Sequence, residues 1–269
     1  MKTIFVDDYK RETAHLTREF ASLEHVDKDK MLGKDTLALR PDGCPTALLL
    51  KGRMDPKLCK TAFDIGWTMN ESLETRASVV GSAAMPRIKK NGRRGSFAVT
   101  PNAVLEELER EHARQGTLGA TAGTRARPAQ ITELTEKRPE LLDQLRSLIE
   151  RSDQLFEEFL PSFRAVQRAE VKKAPLLRLW RTAFSSAYFA KALQCAYHRD
   201  RENLRGAMSV LLPLGTFTGG QLVIPRWRIG IAFEPGDLLL FDPGQLHGNL
   251  PIAGKRVSLV LYCARRIAA

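Results

Sequence analysis

From about residue 183 onward the chain is a succession of short apolar runs divided by Gly/Pro turns. The runs are LQCAYH, GAMSVLLPLG, GGQLVIP, RIGIAF, GDLLLFD and RVSLVLYC. Several short strands at close, regular spacing predict a sandwich or barrel rather than a helical or parallel α/β fold. Upstream the texture differs. TALLLK at 46–51 and TRASVVG at 75–81 read as strands, and 55–66 and 101–114 as helices. A longer helix is expected over 139–160, where Leu141, Leu142, Leu145, Leu148, Ile149, Leu155, Phe156 and Phe159 recur at helical spacing. Its expected job is to brace a sheet. The Gly/Thr/Ala-rich stretch GTLGATAGTRARPAQ at 116–130 reads as a mobile connection. Residues 1–45 are polar and mixed with no clear period, and are expected to form a short helix and a loose arm.

The chain has 269 residues, enough for one large domain or two small ones and for a substantial core. The expected organisation is an arm at 1–45 and a domain at 46–269, whose barrel occupies about 183–265. No stretch reaches the roughly 18 apolar residues of a membrane span. The opening MKTIFVDDYKRETAHL turns polar too early for a secretion signal, so an intracellular protein is expected, nuclear if the source is eukaryotic. The four cysteines form no C-x-x-C pair, which argues for free thiols over a zinc cluster. Lys and Arg number 42 against 31 Asp and Glu, a surplus of +11 that suits a polyanionic partner such as nucleic acid. The run PRIKKNGRRGS at 86–96 is open to three readings, a localisation signal, a phosphate contact or a solvated loop, and the basic RAR at 125–127 is a further candidate to hold phosphates.

One pair of residues stands out within the β-rich part. His198 and Asp200 lie two apart, which on a strand puts both side chains on one face. Alone, such a pair is weak evidence. His247 follows 49 residues after His198, beyond a turn, a strand and another turn. Two histidines and one carboxylate can hold non-haem Fe(II) on one triangular face and leave three positions open. A 2-oxo acid can take two of these and O2 the third. Arg256 opens the next strand, with Ser258, Val260, Tyr262 and Ala264 on its face by parity. A guanidinium grips a carboxylate bidentately, and a serine hydroxyl two residues on can add a hydrogen bond. Arg256 and Ser258 are therefore candidates for the distal carboxylate of 2-oxoglutarate. Ligands on the inner wall of a barrel imply an α+β protein with a jelly-roll, cupin-like double-stranded β-helix braced by helices.

Residues 184–263 resemble the 2-oxoglutarate/Fe(II) dioxygenases and, more narrowly, the TET/J-binding-protein family that oxidises methyl groups on DNA bases. The elements HRD, FTGGQLVIP, PGDLLLFD, LHGN and KRVSLVLY carry the resemblance. It implies His198, Asp200 and His247 as iron ligands, Arg256 with Ser258 as the cosubstrate anchor, and Fe(II), 2-oxoglutarate and O2 as the cofactor set. It also implies that Asn203, five positions after the first ligand, contacts a flipped base. By the same resemblance Tyr262, six after the anchoring arginine, stacks on that base. The implied partner is double-stranded DNA with a modified base, 5-methylcytosine first, acted on by a monomer. One position departs from the family pattern. Members active on 5-methylcytosine carry a histidine two residues after the aromatic, and this chain has Ala264. N6-methyladenine, thymine, a small molecule or a protein side chain stay open as substrates.

Overall fold

The computed structural model describes residues 1–9, 13–17, 19–68, 114–191 and 194–267. The strand expected at 75–81, the basic run at 86–96 and the helix expected at 101–114 lie outside these residues, except that Arg114 opens a strand.

Among the described residues, twelve strands form two sheets. In chain order they are β1 (Lys2–Phe5), β2 (Met31–Leu32), β3 (Thr36–Leu39), β4 (Pro45–Leu50), β5 (Arg114–Gly119) and β6 (Ser186–Lys191). After these come β7 (Ser209–Gly219), β8 (Leu222–Ile224), β9 (Ile229–Ile231), β10 (Leu238–Phe241), β11 (Gly248–Asn249) and β12 (Ile252–Tyr262). The large sheet runs β1-β3-β4-β10-β7-β12-β6-β5, and the small one runs β11-β8-β9-β2. The long ladder between β7 and β12 is antiparallel from Ile252↔Gly219 to Leu261↔Val210.

Alternation along the strands sorts the large sheet into two faces. Leu48, Leu50, Leu212, Leu240, Val257 and Leu259 point to one core, which they share with the helices. Ala47, Leu49, Leu211, Leu239 and Phe241 point to the other, where they meet Leu222, Ile224, Ile229 and Ile231 of the small sheet. Two sheets closed on a shared interior make the double-stranded β-helix expected from the sequence.

Among the described residues the helical layer consists of α1 (Pro56–Thr68), α2 (Glu133–Lys137), α3 (Glu140–Phe159) and α4 (Pro161–Lys172). α3 turns Leu141, Leu145, Leu148, Ile149, Leu155 and Phe156 inward, so it braces the sheet as its periodicity predicts. It stops at Leu160 because Pro161 disfavours helical backbone before it and then supplies the first turn of α4. α1 lies close to the sheet at Gly66, where a Cβ would come 2.6 Å from Phe189 and Val257. Among the described residues no helix is long and apolar enough to cross a membrane.

Three expectations are corrected. Residues 1–45 are no loose arm: β1 and β3 extend the large sheet, β2 joins the small one, and Val6, Leu32 and Ala38 sit in the core between the sheets. Their strands are too short to show a period. The stretch 116–130 begins as strand, since β5 pairs with β6 from Arg114↔Lys191 to Gly119↔Ser186, with buried Leu118 between its two glycines. The strand expected at LQCAYH lies earlier, at β6. Cys195 and Tyr197 instead bond to Asn249 and to the Glu19 carbonyl, partners that are not a regular ladder.

Candidate active site

The site begins with a backbone bridge. His198 and His247 pair as isolated antiparallel partners, each N–H donating to the other's carbonyl at 2.9 Å. The two imidazoles are thereby fixed side by side, with ring centroids 4.4 Å apart. The Asp200 N–H donates to the Pro243 carbonyl at 3.0 Å, which ties the third residue to the turn after β10.

The side chains converge. His198 Nε2 lies 3.4 Å from Asp200 Oδ1, and His247 Nε2 lies 3.9 Å from Asp200 Oδ2. One donor atom from each residue falls within a 4.8 Å span. Each imidazole is anchored through Nδ1, His198 to the Ala196 carbonyl at 2.8 Å and His247 to the Gln245 carbonyl at 2.9 Å. A carbonyl only accepts, so Nδ1 carries a proton in each ring and Nε2 is the atom left to ligate a metal. Two neutral imidazole nitrogens and a carboxylate oxygen, aimed at one point, are a donor set for Fe(II). Burial, then the neighbouring His198, pushes His247 down to about 4, so its imidazole is neutral at physiological pH.

A second feature needs an anion. Arg256 is only 3% exposed, and no carboxylate pairs with it among the described residues. One terminal nitrogen donates to the Gly220 carbonyl at 2.7 Å, while Nε has no partner. The guanidinium lies over Phe217 at 5.2 Å and Phe233 at 4.9 Å. Burial pulls it down to about 10. A buried cation without a counter-ion is costly unless a ligand supplies the charge. The free carboxylate of a 2-oxo diacid fits that need.

Both features open into one cavity of about 410 Å³. Its walls include the trio, Arg256, Ser258, Asn203 and Tyr262, so every residue singled out from the sequence for the site lines one space. Strand parity explains the β12 contribution, because Val257, Leu259 and Leu261 turn to the helical core and the even-numbered residues turn to the cavity. The Asn203 amide donates to Ser209 Oγ at 2.9 Å, and its backbone bridges Ala264. Ala264 is fully buried, and its N–H donates to the Ser185 hydroxyl oxygen at 2.8 Å.

Among the cavity residues that sequence reasoning missed are Thr17, Thr117 and Tyr188. Tyr188 pairs with Val260 on one side and with Thr117 on the other, and its hydroxyl donates to Gln115 Oε1 at 2.8 Å. Alternation in SAYFAK carries a trace of this, but only the register says which face meets the cavity.

A family described as "Oxygenase domain of the 2OGFeDO superfamily", Tet_JBP, matches residues 118–265. The chain belongs to this family. The Tet_JBP match takes in β6 to β12 and every candidate site residue. Fe(II), 2-oxoglutarate and O2 are the cofactors of this superfamily, and the donor trio and the unpaired Arg256 fit the first two. Curated relatives include a bifunctional helicase and thymine dioxygenase JBP2 of Trypanosoma brucei brucei, 29% identical over 143 residues. That alignment covers 51% of this chain and 13% of the relative. JBP2 of Leishmania major is 30% identical over 137 residues, 49% of this chain and 12% of that one. The chain thus spans only a small part of the length of these relatives. Among solved structures, NgTET1 in complex with 5mC DNA superposes with a TM-score of 0.56 at 13% identity. It covers 96% of this chain and 88% of that one, a likeness of fold.

Proposed function

We propose that this Tet_JBP member hydroxylates the C5 methyl group of a pyrimidine in double-stranded DNA, with the base rotated out of the duplex into the cavity. The observation that carries the reading is the single cavity that joins a three-donor metal cradle, a buried unpaired guanidinium and an aromatic–amide pair. Fe(II) bound there with 2-oxoglutarate and O2 supplies the oxidising power for C–H hydroxylation.

The residues divide the remaining work. His198, Asp200 and His247 would hold the metal, through one donor atom each. Arg256 takes the distal carboxylate of the cosubstrate, with the Ser258 hydroxyl on the same strand face. β12 runs along the cavity from Arg256 to Tyr262, about 20 Å at strand rise, so cosubstrate and base are held at separate ends. Stacking on Tyr262 offsets part of the few kcal/mol needed to unstack the base. The Asn203 amide, steadied by Ser209, offers a polar group to the base edge.

5-Methylcytosine is the first reading of the base. Thymine is the second, and two observations favour it. Ala264 presents no polar side chain where a cytosine-reading histidine would stand, and the curated relatives are named thymine dioxygenases. The test is succinate release with Fe(II), 2-oxoglutarate and duplexes of one sequence. These carry 5-methylcytosine, thymine, N6-methyladenine, or uracil and plain cytosine with no C5 methyl. Stimulation by the first or second and background turnover with the last supports the reading. Equal turnover with the methyl-free duplex overturns it.

A further inference from the structure

Three segments distant in sequence are knitted together beside the cavity mouth. The Gly123 N–H donates to the Arg265 carbonyl, and a Cβ on Gly123 would lie 2.6 Å from the Arg266 carbonyl. The Arg265 N–H donates to the Glu202 carbonyl at 2.8 Å, and the Leu204 N–H to the Cys263 carbonyl at 2.8 Å. The bridge between Asn203 and Ala264 lies between these bonds. The loop at 124–127 closes on itself through the Thr124 N–H to the Arg127 carbonyl. Segments 124–127, 199–205 and 263–267 thus form one surface.

That surface is rich in arginine. The three segments read TRAR, RDRENLR and CARRI, seven arginines against Asp200 and Glu202. Asp200 faces the two histidines, which leaves Glu202 as the one other acid in these segments. Arg125, Arg127, Arg201, Arg205 and Arg266 are exposed, and none is in an ion pair among the described residues. Arg199 is exposed and Arg265 half-buried with an unpartnered Nε. Arg199 and Arg201 also line the cavity, so the charged surface runs into its rim. Crowded, uncompensated guanidinium groups repel one another and suit a ligand that brings several negative charges at once.

We propose that this arginine rim is the surface that grips the phosphate backbone of duplex DNA on either side of the base admitted to the cavity. It rests on the base-oxidation reading and adds where the duplex lies. Phosphate contacts fix register without reading sequence, so the rim sets position while the cavity selects the base.

The experiment is a salt titration of duplex affinity. The metal-loaded protein is titrated anaerobically with a C5-methylated duplex at several salt concentrations. Two rim pairs are compared, Arg125→Gln with Arg127→Gln, and Arg205→Gln with Arg266→Gln. A control pair, Arg146→Gln with Arg151→Gln, removes the same charge from α3. The slope of log affinity against log salt should become shallower by about 0.9 for each phosphate that a variant no longer neutralises. Rim pairs should show this, lysine substitutions at the same sites should largely restore it, and the control pair should leave the wild-type slope. Melting temperatures identify a pair that misfolds, and the other pair then decides. Wild-type slopes in both rim pairs, or equal flattening in the control, overturn the rim while wild-type oxidation of DNA leaves the base reading standing. Tighter binding of an RNA of the same sequence overturns the choice of duplex DNA. A wild-type protein that neither binds nor oxidises DNA overturns both.

Discussion

His198 and His247, 49 residues apart in the chain, exchange backbone hydrogen bonds in both directions at 2.9 Å. The bridge holds their imidazoles side by side before any metal arrives, with both Nδ1 atoms bound to carbonyls and both Nε2 atoms turned to Asp200. Because the bridge is backbone, side-chain truncation should leave it intact. His198→Ala, Asp200→Ala and His247→Ala are expected to remove tight Co(II) binding, read from its visible absorption, with melting temperatures near wild type. Wild-type Co(II) affinity in any one variant removes that residue from the ligand set.

Arg256 separates binding from stability. Replacing a buried, unpaired cation by an apolar side chain of similar size is neutral or stabilising. Arg256→Met should therefore keep or raise the melting temperature. Removing a charge-assisted bond of about 1.5–3 kcal/mol should weaken 2-oxoglutarate by roughly 10- to 150-fold. Calorimetric titration of the metal-loaded protein measures it, and unchanged affinity would contradict the assignment.

Gly220 should matter for the same reason. Its φ is +69°, and a Cβ there would lie 2.1 Å from the Arg256 guanidinium. Gly220→Ala is expected to push Arg256 out of place and weaken 2-oxoglutarate at least tenfold, with Co(II) affinity retained. Equal 2-oxoglutarate affinity in the variant would show that the guanidinium finds its place without this glycine.

His247 makes the metal-free protein pH-sensitive. Its folded value of about 4 lies below the ordinary 6.5 because burial disfavours the cation. Above pH 6.5 both folded and unfolded chains carry a neutral imidazole, and its contribution is fully present. Between 6.5 and about 4 the unfolded chain takes a proton that the folded chain refuses, so stability falls as pH falls. The decline levels off below about 4 and totals on the order of 3 kcal/mol. Urea midpoints of wild type and His247→Gln across pH 4–7 isolate it, since the variant should lack this component. Parallel curves would contradict it.

The helical brace has its own ionic link. Arg164 of α4 holds Asp153 of α3 through two bonds, of 2.5 and 3.1 Å, and Asp153 also accepts the Ala183 N–H ahead of β6. Asp153→Ala strands a buried guanidinium and should cost about 3–5 kcal/mol. Chemical denaturation measures it, and a loss under 1 kcal/mol would mean that Arg164 finds water or Glu157 sufficient.

The strand pattern and the site were legible to different depths. Arg256, Ser258 and Tyr262 share the cavity face, as parity predicts, because parity along one strand is local and β12 is long enough to show it. The trio was legible because ligand chemistry restricts residue type. The N-terminal strands were not, because β1 to β3 have four residues or fewer and gain their order from partners far away in sequence. Tyr188 and Thr117 stayed hidden because β5–β6–β12 register is a tertiary fact. The hydrogen-bonding contact of 2.9 Å between His25 Nδ1 and the Tyr197 hydroxyl was likewise out of reach. It ties a segment outside the family match to the residue next to His198.

The most direct test of the central claim is the product itself. The protein is incubated with Fe(II), 2-oxoglutarate, ¹⁸O₂ and a duplex containing 5-methylcytosine and thymine, and the digested nucleosides are weighed by mass spectrometry. The expected product is a hydroxymethyl pyrimidine that carries one ¹⁸O, absent with His247→Ala. Unaltered nucleosides alongside robust, DNA-independent succinate formation would contradict it.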